Sequence, residues 1–264
     1  METNCDDVLG QLLVSMVRAD ARHTSLAVSF VSTYDERYLA EVVSPAIGAS
    51  TAPLVARPGL LDRLFRRPSR RQNEHRVPPW PTVVRGRIWI AKPDRWRYEE
   101  LDDSGAVVRA SGCDGVRCWN YAHGSIRQWQ PTPDPDVRHL SPTAWQQAPH
   151  PPLREIIDPS LVVPALAIES VEERDTTFGP AIRLSGRPRS TDVIDSALVS
   201  PWAARSMLDV DRSTGLVVAA RNFGADGQTV TEHVVTALET PIHPQPNLFT
   251  VPTRESFSST RKQS

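Results

Sequence analysis

The chain lacks a large net charge of either sign. Lysine and arginine number 30 and aspartate and glutamate 31 in 264 residues, which leaves a formal net charge of -1. Only Lys92 and Lys262 are lysines, so nearly every positive charge is an arginine. A chain without a basic excess has no global field that would draw it onto nucleic acid or an anionic membrane. We therefore expect no nucleic-acid partner, and any membrane contact has to come from a local cluster of charge.

A long apolar run and an export signal are also missing. No uninterrupted apolar stretch reaches the roughly 18 residues that a membrane-spanning helix needs. The N-terminus carries Glu2, Asp6 and Asp7 where a signal peptide would carry basic residues. We interpret this end as a helix of the mature protein, and the sequence as written predicts a soluble, cytoplasmic protein.

Catalytic and metal-binding signatures are absent as well. The sequence contains no GxxxxGK[ST], GxGxxG, GxSxG or HExxH motif, and its seven histidines are dispersed. Its three cysteines, Cys5, Cys113 and Cys118, do not have the spacing of a zinc site. An odd number of cysteines fits a reducing compartment, or one disulfide with a free thiol. We expect a protein that is not an enzyme, with no catalytic residue, no metal and no cofactor.

Short extended segments make up most of what is present. Proline occurs 24 times, and because it lacks the N–H that a helix interior or a sheet ladder uses, it favours short strands and turns. Residues 6–22 are an exception, since their apolar side chains recur at helical spacing and predict an amphipathic helix with Asp6 as the N-cap. Residues 25–34 then alternate between apolar and polar and predict the first strand.

Residues 40–80 interrupt this pattern with small residues, prolines and a basic cluster. The cluster consists of Arg63, Arg66, Arg67, Arg70 and Arg71. Such a segment can lie on anionic lipid as an interfacial helix, or it can be a long solvated loop. Both interpretations stay open, and these arginines are the candidates for a peripheral membrane contact.

Strand follows strand from residue 82 to residue 129. Ile88 and Ile90 fall on one side of an extended segment, and Trp96 and Tyr98 share that side if Pro93 causes no bulge. Four tryptophans fall within this meander: Trp89, Trp96, Trp119 and Trp129. They either line a site for an apolar ligand or form ordinary sheet core.

A hairpin turn is predicted at Asp114-Gly115, because a type I′ turn requires positive φ at both central residues. That turn would place Cys113 opposite Val116 and make Cys113 and Cys118 diagonal neighbours on one face. The two cysteines would then be either a strained disulfide or two thiols packed in or near the sheet.

A proline-rich stretch at 131–164 separates two groups of strands. Within it, Asp158 as N-cap and Pro159 at the first helical position predict a short helix. Strands resume after residue 165, and turn residues at 213–215 and 225–227 indicate hairpins. The chain is therefore expected to be mainly β.

The order of these segments resembles the bacterial lipoprotein-carrier superfamily, which includes LolA and the sigma-factor regulator RseB (MucB). The resemblance rests on three pieces in sequence, GRIWIAKPDRWR at 86–97, DGVRCWNY at 114–121 and DRSTGL at 211–216. Together with the first helix and strand they extend it over most of residues 6–250.

This resemblance implies a mainly β (α+β) fold, in which an incomplete antiparallel β-barrel wraps over the N-terminal helix and short plug or lid helices. It implies one domain over residues 1–253 with an Arg/Pro-rich insertion at about 40–80, followed by a flexible tail at 254–264. An apolar cavity between sheet and helices would hold acyl chains. The residues implied for this cavity are Leu26, Val28, Phe30, Ile88, Ile90, Trp96, Tyr98, Trp119, Leu161 and Leu166.

The implied function is that of a LolA-like binding protein for a lipid, a lipoprotein acyl chain or another apolar ligand. The alternative is an RseB-like regulatory module that grips a protein partner and fills its concave face with its own side chains. The first hypothesis predicts bound apolar material, and the second predicts a packed interior with a peptide-binding surface. The resemblance also implies action outside the cytoplasm, in contrast to the missing export signal.

Overall fold

A computed structural model describes residues 5–35, 37, 82–122, 124–130, 155–189, 196–245 and 247–253. The arginine cluster of the 40–80 segment and the tail at 254–264 lie outside the described residues, so both stay predictions. No helix in the described ranges combines the length and the apolarity that crossing a bilayer requires.

Helix α1 spans Cys5–Arg22 and covers the sheet with one apolar stripe. Leu12, Met16 and Ala19 are buried, because residues three and four apart share a helix face. Val17, an apolar residue within the predicted helix, is 61% exposed, and Ala19 lies on the buried side. Asp6 lies inside the first turn of α1 and is not the N-cap.

Within the described residues, eleven strands form one antiparallel sheet. They are β1 Ser25–Tyr34, β2 Thr82–Ala91, β3 Arg95–Leu101, β4 Val107–Asp114, β5 Cys118–Ala122, β6 Ser125–Trp129, β7 Leu166–Thr176, β8 Gly179–Pro188, β9 Arg205–Asp211, β10 Val217–Phe223 and β11 Thr229–Glu239. Their order is β6-β5-β4-β3-β2-β1-β11-β10-β9-β8-β7. The pairing of β1 with β11 joins two meanders in the middle of the sheet. Among the described strands β6 and β7 are the two edges, so the sheet is open and the predicted incomplete barrel is confirmed.

One face of the sheet, called the inner face below, carries the apolar core. Strands β2 and β3 pair without a register shift, so Trp96 and Tyr98 share a face with Ile88 and Ile90, as the alternation predicted. One row across this face runs over five neighbouring strands: Leu26, Ile90, Trp96, Cys113 and Cys118. All five side chains are at most 1% exposed.

Short turns complete the cover of the inner face. The helix predicted to start at Pro159 forms two 3-10 turns, Pro159–Leu161 and Val163–Ala165. An α-helix cannot continue here because Pro164 has no N–H to donate. Asp158 occupies the N-cap position without a side-chain capping bond. Val162 and Ala165 are buried in the same core as α1.

A buried carboxylate ties the helical turn at 155–157 to the loop before β9. Glu155 accepts hydrogen bonds from the Ser196 hydroxyl at 2.6 Å and from the backbone N–H groups of Ala197 and Leu198 at 2.7 and 2.8 Å. Hydrogen bonds to a charged acceptor are stronger than neutral ones and offset the cost of burying it. The loop that Glu155 holds supplies Leu198 and Val199 to the core.

The β4–β5 hairpin turns one residue later than the sequence predicted. The N–H of Asp114 donates to the carbonyl of Arg117 at 3.1 Å, so the two turn residues are Gly115 and Val116. The Asp114 carboxylate accepts from the N–H groups of Val116 and Arg117, and this side-chain turn keeps Asp114 at the end of the strand. Cys113 therefore pairs directly with Cys118 and is not its diagonal neighbour.

The hairpins predicted at 213–215 and 225–227 are confirmed. The first of them also contacts α1, because Gly215, with φ of +75°, lies so close that a Cβ would come within 2.7 Å of the Ser15 carbonyl oxygen. Arg22 donates to the Ser213 carbonyl at 2.9 Å and fixes the end of the helix on this turn.

Candidate functional site

Of the ten predicted cavity residues, eight are brought together, one lies on the opposite face of the sheet, and the side chain of Leu161 lies outside the described residues. Eight of the ten lie in the buried core, each at most 3% exposed: Leu26, Val28, Phe30, Ile88, Ile90, Trp96, Tyr98 and Leu166. Leu161 lies in the first 3-10 turn. Trp119 is buried on the opposite face of the sheet, since it pairs with Gly112 and Gly112 pairs with Arg97. That these residues bind a ligand stays a prediction.

The protein's own side chains fill the inner face. The ring of Phe30 lies so close to Gly86 that a Cβ there would come within 2.7 Å of the ring. The same ring stacks on Tyr98 with centroids 6.3 Å apart. Met16 of α1 and Ile157 of the 155–157 turn are fully buried in this core. An apolar ligand on this face would have to displace part of the cover.

Two neighbouring strands of this core, β3 and β4, each carry one buried donor that lacks a hydrogen-bond partner within the described part of the chain. These donors are the indole Nε1 of Trp96 and the hydroxyl of Ser111. Both belong to the inner face, because Trp96 pairs with Cys113 and Tyr98 pairs with Ser111 on neighbouring strands. A buried donor without an acceptor costs about 1–3 kcal/mol, so these two groups favour any arrangement that supplies an acceptor.

The opposite face, called the outer face below, carries a second ordered row. Its members, taken in order from the neighbouring strands β11, β1, β2, β3, β4 and β5, are Glu239, Ala27, Trp89, Arg97, Gly112 and Trp119. The Trp119 ring lies over Gly112, where a Cβ would come within 2.7 Å of the ring. The Arg97 guanidinium lies 5.7 Å from the centre of that ring.

The chain after β11 crosses the outer face as a strap, defined here as residues 241–245 and 247–253. Its start is held by Ser25, whose hydroxyl donates to the Ile242 carbonyl at 3.1 Å and accepts from the Ile242 N–H at 3.2 Å. Its far part is held by Arg97, which donates to the Leu248 carbonyl at 3.0 Å. Trp119 Nε1 donates to the Phe249 carbonyl at 3.1 Å.

Between these two anchored ends a groove of about 610 Å³ lies between the strap and the sheet. The sheet contributes four residues to its lining, Ala27, Trp89, Arg97 and Glu239. The strap contributes the others, among them Ile242, His243, Gln245, Leu248 and Val251. Aromatic, aliphatic, charged and amide groups are thus mixed within one groove.

Charge pairing positions Arg97 in the groove and Arg87 beside it. The buried Glu99 carboxylate accepts from Arg87 Nε at 2.7 Å and lies 2.6 Å from Arg97 Nη2. Arg87 also lies over the Trp89 ring at 5.1 Å, so a cation–π contact fixes that ring at the groove floor. Glu239 and His243 are exposed at the rim. This arrangement can bind a ligand with both apolar and polar groups.

The described residues hold no cluster of three or more His, Cys, Asp or Glu side chains that could bind a metal ion. The sequence did not predict the groove, because the strap residues contain prolines and show no regular alternation. One signal was available: the alternation that placed Trp96 and Tyr98 on one face also placed Trp89 and Arg97 on the other.

No family model matches the sequence, and no curated protein matches it. The crystal structure of MucB matches over 94% of this chain and 64% of that chain, at 18% identity and a TM-score of 0.50. The MucA/MucB complex from Pseudomonas aeruginosa matches over 96% of this chain and 62% of that chain, at 18% identity and a TM-score of 0.46. A LolA superfamily protein from Nitrosomonas europaea matches over 95% of this chain and 99% of that chain, at 8% identity and a TM-score of 0.29.

The MucB structure shares the fold of this chain, and the LolA/RseB-like fold predicted from the sequence is confirmed. The chain spans 64% of the length of that MucB structure. The shared fold alone does not fix the ligand or the role of this chain.

Proposed function

We propose that the protein is a non-enzymatic binding protein with a LolA/RseB-like fold, and that it holds a segment of a partner protein in the groove under the strap. One observation carries this proposal: among the described residues the inner face is packed with the protein's own buried side chains, whereas the groove over Trp89 has open volume. A self-filled core with a peptide-binding surface is the RseB-like alternative that the sequence left open. The same resemblance implies that the complex forms outside the cytoplasm.

The groove suits an extended polypeptide for physical reasons. The Trp89 ring offers a rigid apolar surface, and aromatic side chains of this kind dominate the affinity of peptide interfaces. Glu239 and His243 at the rim can select the charge of the partner segment. Because the lining is mixed, a saturated acyl chain would leave these polar groups without partners, whereas a peptide can satisfy them.

Peptide selection tests this proposal directly. Peptides of random sequence would be selected on the immobilised full chain, and the dissociation constant of the best peptide measured by fluorescence anisotropy. We expect Trp89→Ala to weaken binding at least tenfold, on the order of the loss of one interface anchor. Trp129→Ala is the matched control, because Trp129 is 41% exposed on edge strand β6, away from the groove lining. Equal binding by both variants would rule out the groove.

A second candidate function is binding of a lipid or another apolar ligand on the inner face. The unpaired Trp96 Nε1 and Ser111 hydroxyl favour it, because an ester or carboxylate oxygen of a lipid would supply the acceptor that they lack. α1 and the turns at 155–166 would have to give way to the acyl chain. Titration with a fluorescent fatty acid tests this: saturable uptake that Trp96→Phe weakens would support it, and no uptake would exclude it.

A further inference from the structure

Two thiols lie directly opposite each other near the tip of the β4–β5 hairpin. Cys113 pairs with Cys118 in the ladder, and both are free cysteines with no exposed surface. The hydrogen bond from the Asp114 N–H to the Arg117 carbonyl makes Asp114 and Arg117 a hydrogen-bonded pair. Since the two kinds of pair alternate along an antiparallel ladder, Cys113 and Cys118 occupy the close, non-hydrogen-bonded position, where Cα atoms are about 4.5 Å apart.

This position meets the geometric requirement of a disulfide. Cα separations of about 4.4–6.8 Å are found across disulfides, and the close pair falls within that range. Cβ atoms of opposed residues lie about 4.5–5.5 Å apart, against about 3.8 Å across a disulfide. A local approach of about 1 Å between the two strands is therefore sufficient to join the sulfur atoms.

The two thiols share a hydrogen bond, which shifts their pKa values in opposite directions. The hydrogen bond that the Cys118 thiol donates to Cys113 lowers the pKa of Cys113 to about 7, helped by the Gly115 N–H and opposed by burial. The same hydrogen bond, together with burial, raises the pKa of Cys118. The Gly115 N–H gives Cys113 an additional donor that stabilises its thiolate, so we assign Cys113 as the nucleophile and Cys118 as the sulfur that resolves the first adduct.

The location of the pair gives it a route to solvent. Cys118 pairs on its other side with Trp129 of β6, the edge strand, whose residues are mostly exposed. Short edge strands open locally at a small fraction of the free energy of global unfolding. A Cβ on Gly115 would lie 3.0 Å from the Asp94 carboxylate oxygens, so the β4–β5 turn packs against the β2–β3 connection.

We propose that Cys113 and Cys118 form a modification site, at which a disulfide-bearing oxidant converts the pair into an intrachain cross-strand disulfide. The Cys113 thiolate attacks one sulfur of the oxidant, forms a mixed disulfide and releases the first thiol of the oxidant. Cys118 loses its proton and attacks the Cys113 sulfur, which releases the second thiol. Both cysteines are oxidised and the oxidant disulfide is reduced to two thiols, so atoms and electrons balance. The product locks β4 to β5 beneath Trp119, one of the anchors of the strap.

The test uses the full chain with Cys5→Ser, which removes the third cysteine and leaves only this pair. The folded protein and the same protein in urea are equilibrated with mixtures of oxidised and reduced glutathione, then quenched by acid. Intact mass, peptide mapping and thiol titration report the state of the pair. We expect the folded protein to lose two hydrogen atoms and both thiols at a glutathione ratio that leaves the unfolded chain reduced, because the fold holds the sulfurs together.

The outcome that overturns the proposal is a folded protein that keeps both thiols at ratios that already oxidise the unfolded chain. The roles of the two sulfurs are tested separately in the folded single variants. Cys118→Ser should accumulate a stable glutathione adduct on Cys113, whereas Cys113→Ser should remain largely unmodified. Equal adducts in both variants would contradict the assignment of Cys113 as the nucleophile. Disulfide formation itself is measured in the protein that carries both cysteines, so poor folding of either single variant does not affect that measurement.

Discussion

His233 is a fully buried histidine in the middle of β11. Its Nδ1 lies 2.8 Å from the Ser32 hydroxyl, and its ring meets that of Tyr34 edge to face at 5.5 Å. Its Nε2 has no hydrogen-bond partner within the described residues. Burial lowers the pKa of His233 from 6.5 to about 4, because a charged imidazolium cannot be solvated there. The folded protein therefore holds this residue neutral.

The first prediction is a loss of stability in acid that depends on His233. Above pH 6.5 this histidine is mostly neutral in both the folded and the unfolded state, so its lowered pKa has little effect on the free energy of unfolding. As the pH falls from 6.5 towards 4, the unfolded state binds a proton at this histidine and the folded state does not. The free energy of unfolding therefore decreases by about 3 kcal/mol in total. Urea unfolding at several pH values should show this extra loss in the wild type and not in His233→Gln. Parallel curves for the two proteins would contradict it.

Glycine substitutions provide a second prediction at this scale. Gly86→Ala should destabilise by about 1–3 kcal/mol, because the added Cβ meets the Phe30 ring and the Glu99 carbonyl oxygen within 2.9 Å. Gly10→Ala is the opposite case, since nothing lies within 4 Å of a Cβ there and the residue is exposed on α1. It should stabilise by about 0.5–1 kcal/mol through helix propensity. Chemical denaturation checks both, and equal effects of the two substitutions would show that the Phe30 packing is wrong.

Residue alternation predicted the faces of the sheet better than the turns. The face shared by Ile88, Ile90, Trp96 and Tyr98 followed from period two alone, because pleating sends successive side chains to opposite sides. The frame of the β4–β5 turn was missed by one residue, since the Asp114 side chain bonds to the backbone of the turn and keeps Asp114 in the strand, so that Gly115 is the first turn residue and not the second. Such local competition is not visible in the hydrophobic pattern.

The strap is the element whose role the sequence concealed. Residues 241–253 contain prolines and no regular alternation, so they indicate only an extended tail. Their carbonyl groups nevertheless accept hydrogen bonds from two side chains far away in the sequence, Arg97 and Trp119. Long-range contacts of this kind cannot be derived from local pattern, and the groove depends on them entirely.

A third prediction concerns the anchoring of this element. Trp119→Phe keeps an aromatic ring over Gly112 but removes the Nε1 donor to the Phe249 carbonyl. We expect a loss of about 1 kcal/mol in stability and faster proteolysis within the strap than in the wild type. Trp129→Phe is the control, because Trp129 is exposed and does not contact the strap through any hydrogen bond in the described residues. Unchanged proteolysis in Trp119→Phe would show that this bond does not hold the strap.

At the scale of the whole molecule, the sheet order explains why one face is closed and the other is partly open. β1 joins the two meanders, and α1 with the turns at 155–166 covers the inner face beneath it. The mainly β class and the LolA/RseB-like fold could be predicted from the order of the segments. Which face is filled could not, because alternation assigns residues to two faces without saying what packs on each.

Native mass spectrometry of the purified full chain, followed by organic extraction and lipid analysis, distinguishes the two proposed functions. If the inner face is occupied by the protein's own side chains and a partner segment binds under the strap, we expect the bare polypeptide mass, with no stoichiometric acyl species in the extract. A stoichiometric acyl species that is released on denaturation would contradict this expectation and establish lipid binding on the inner face.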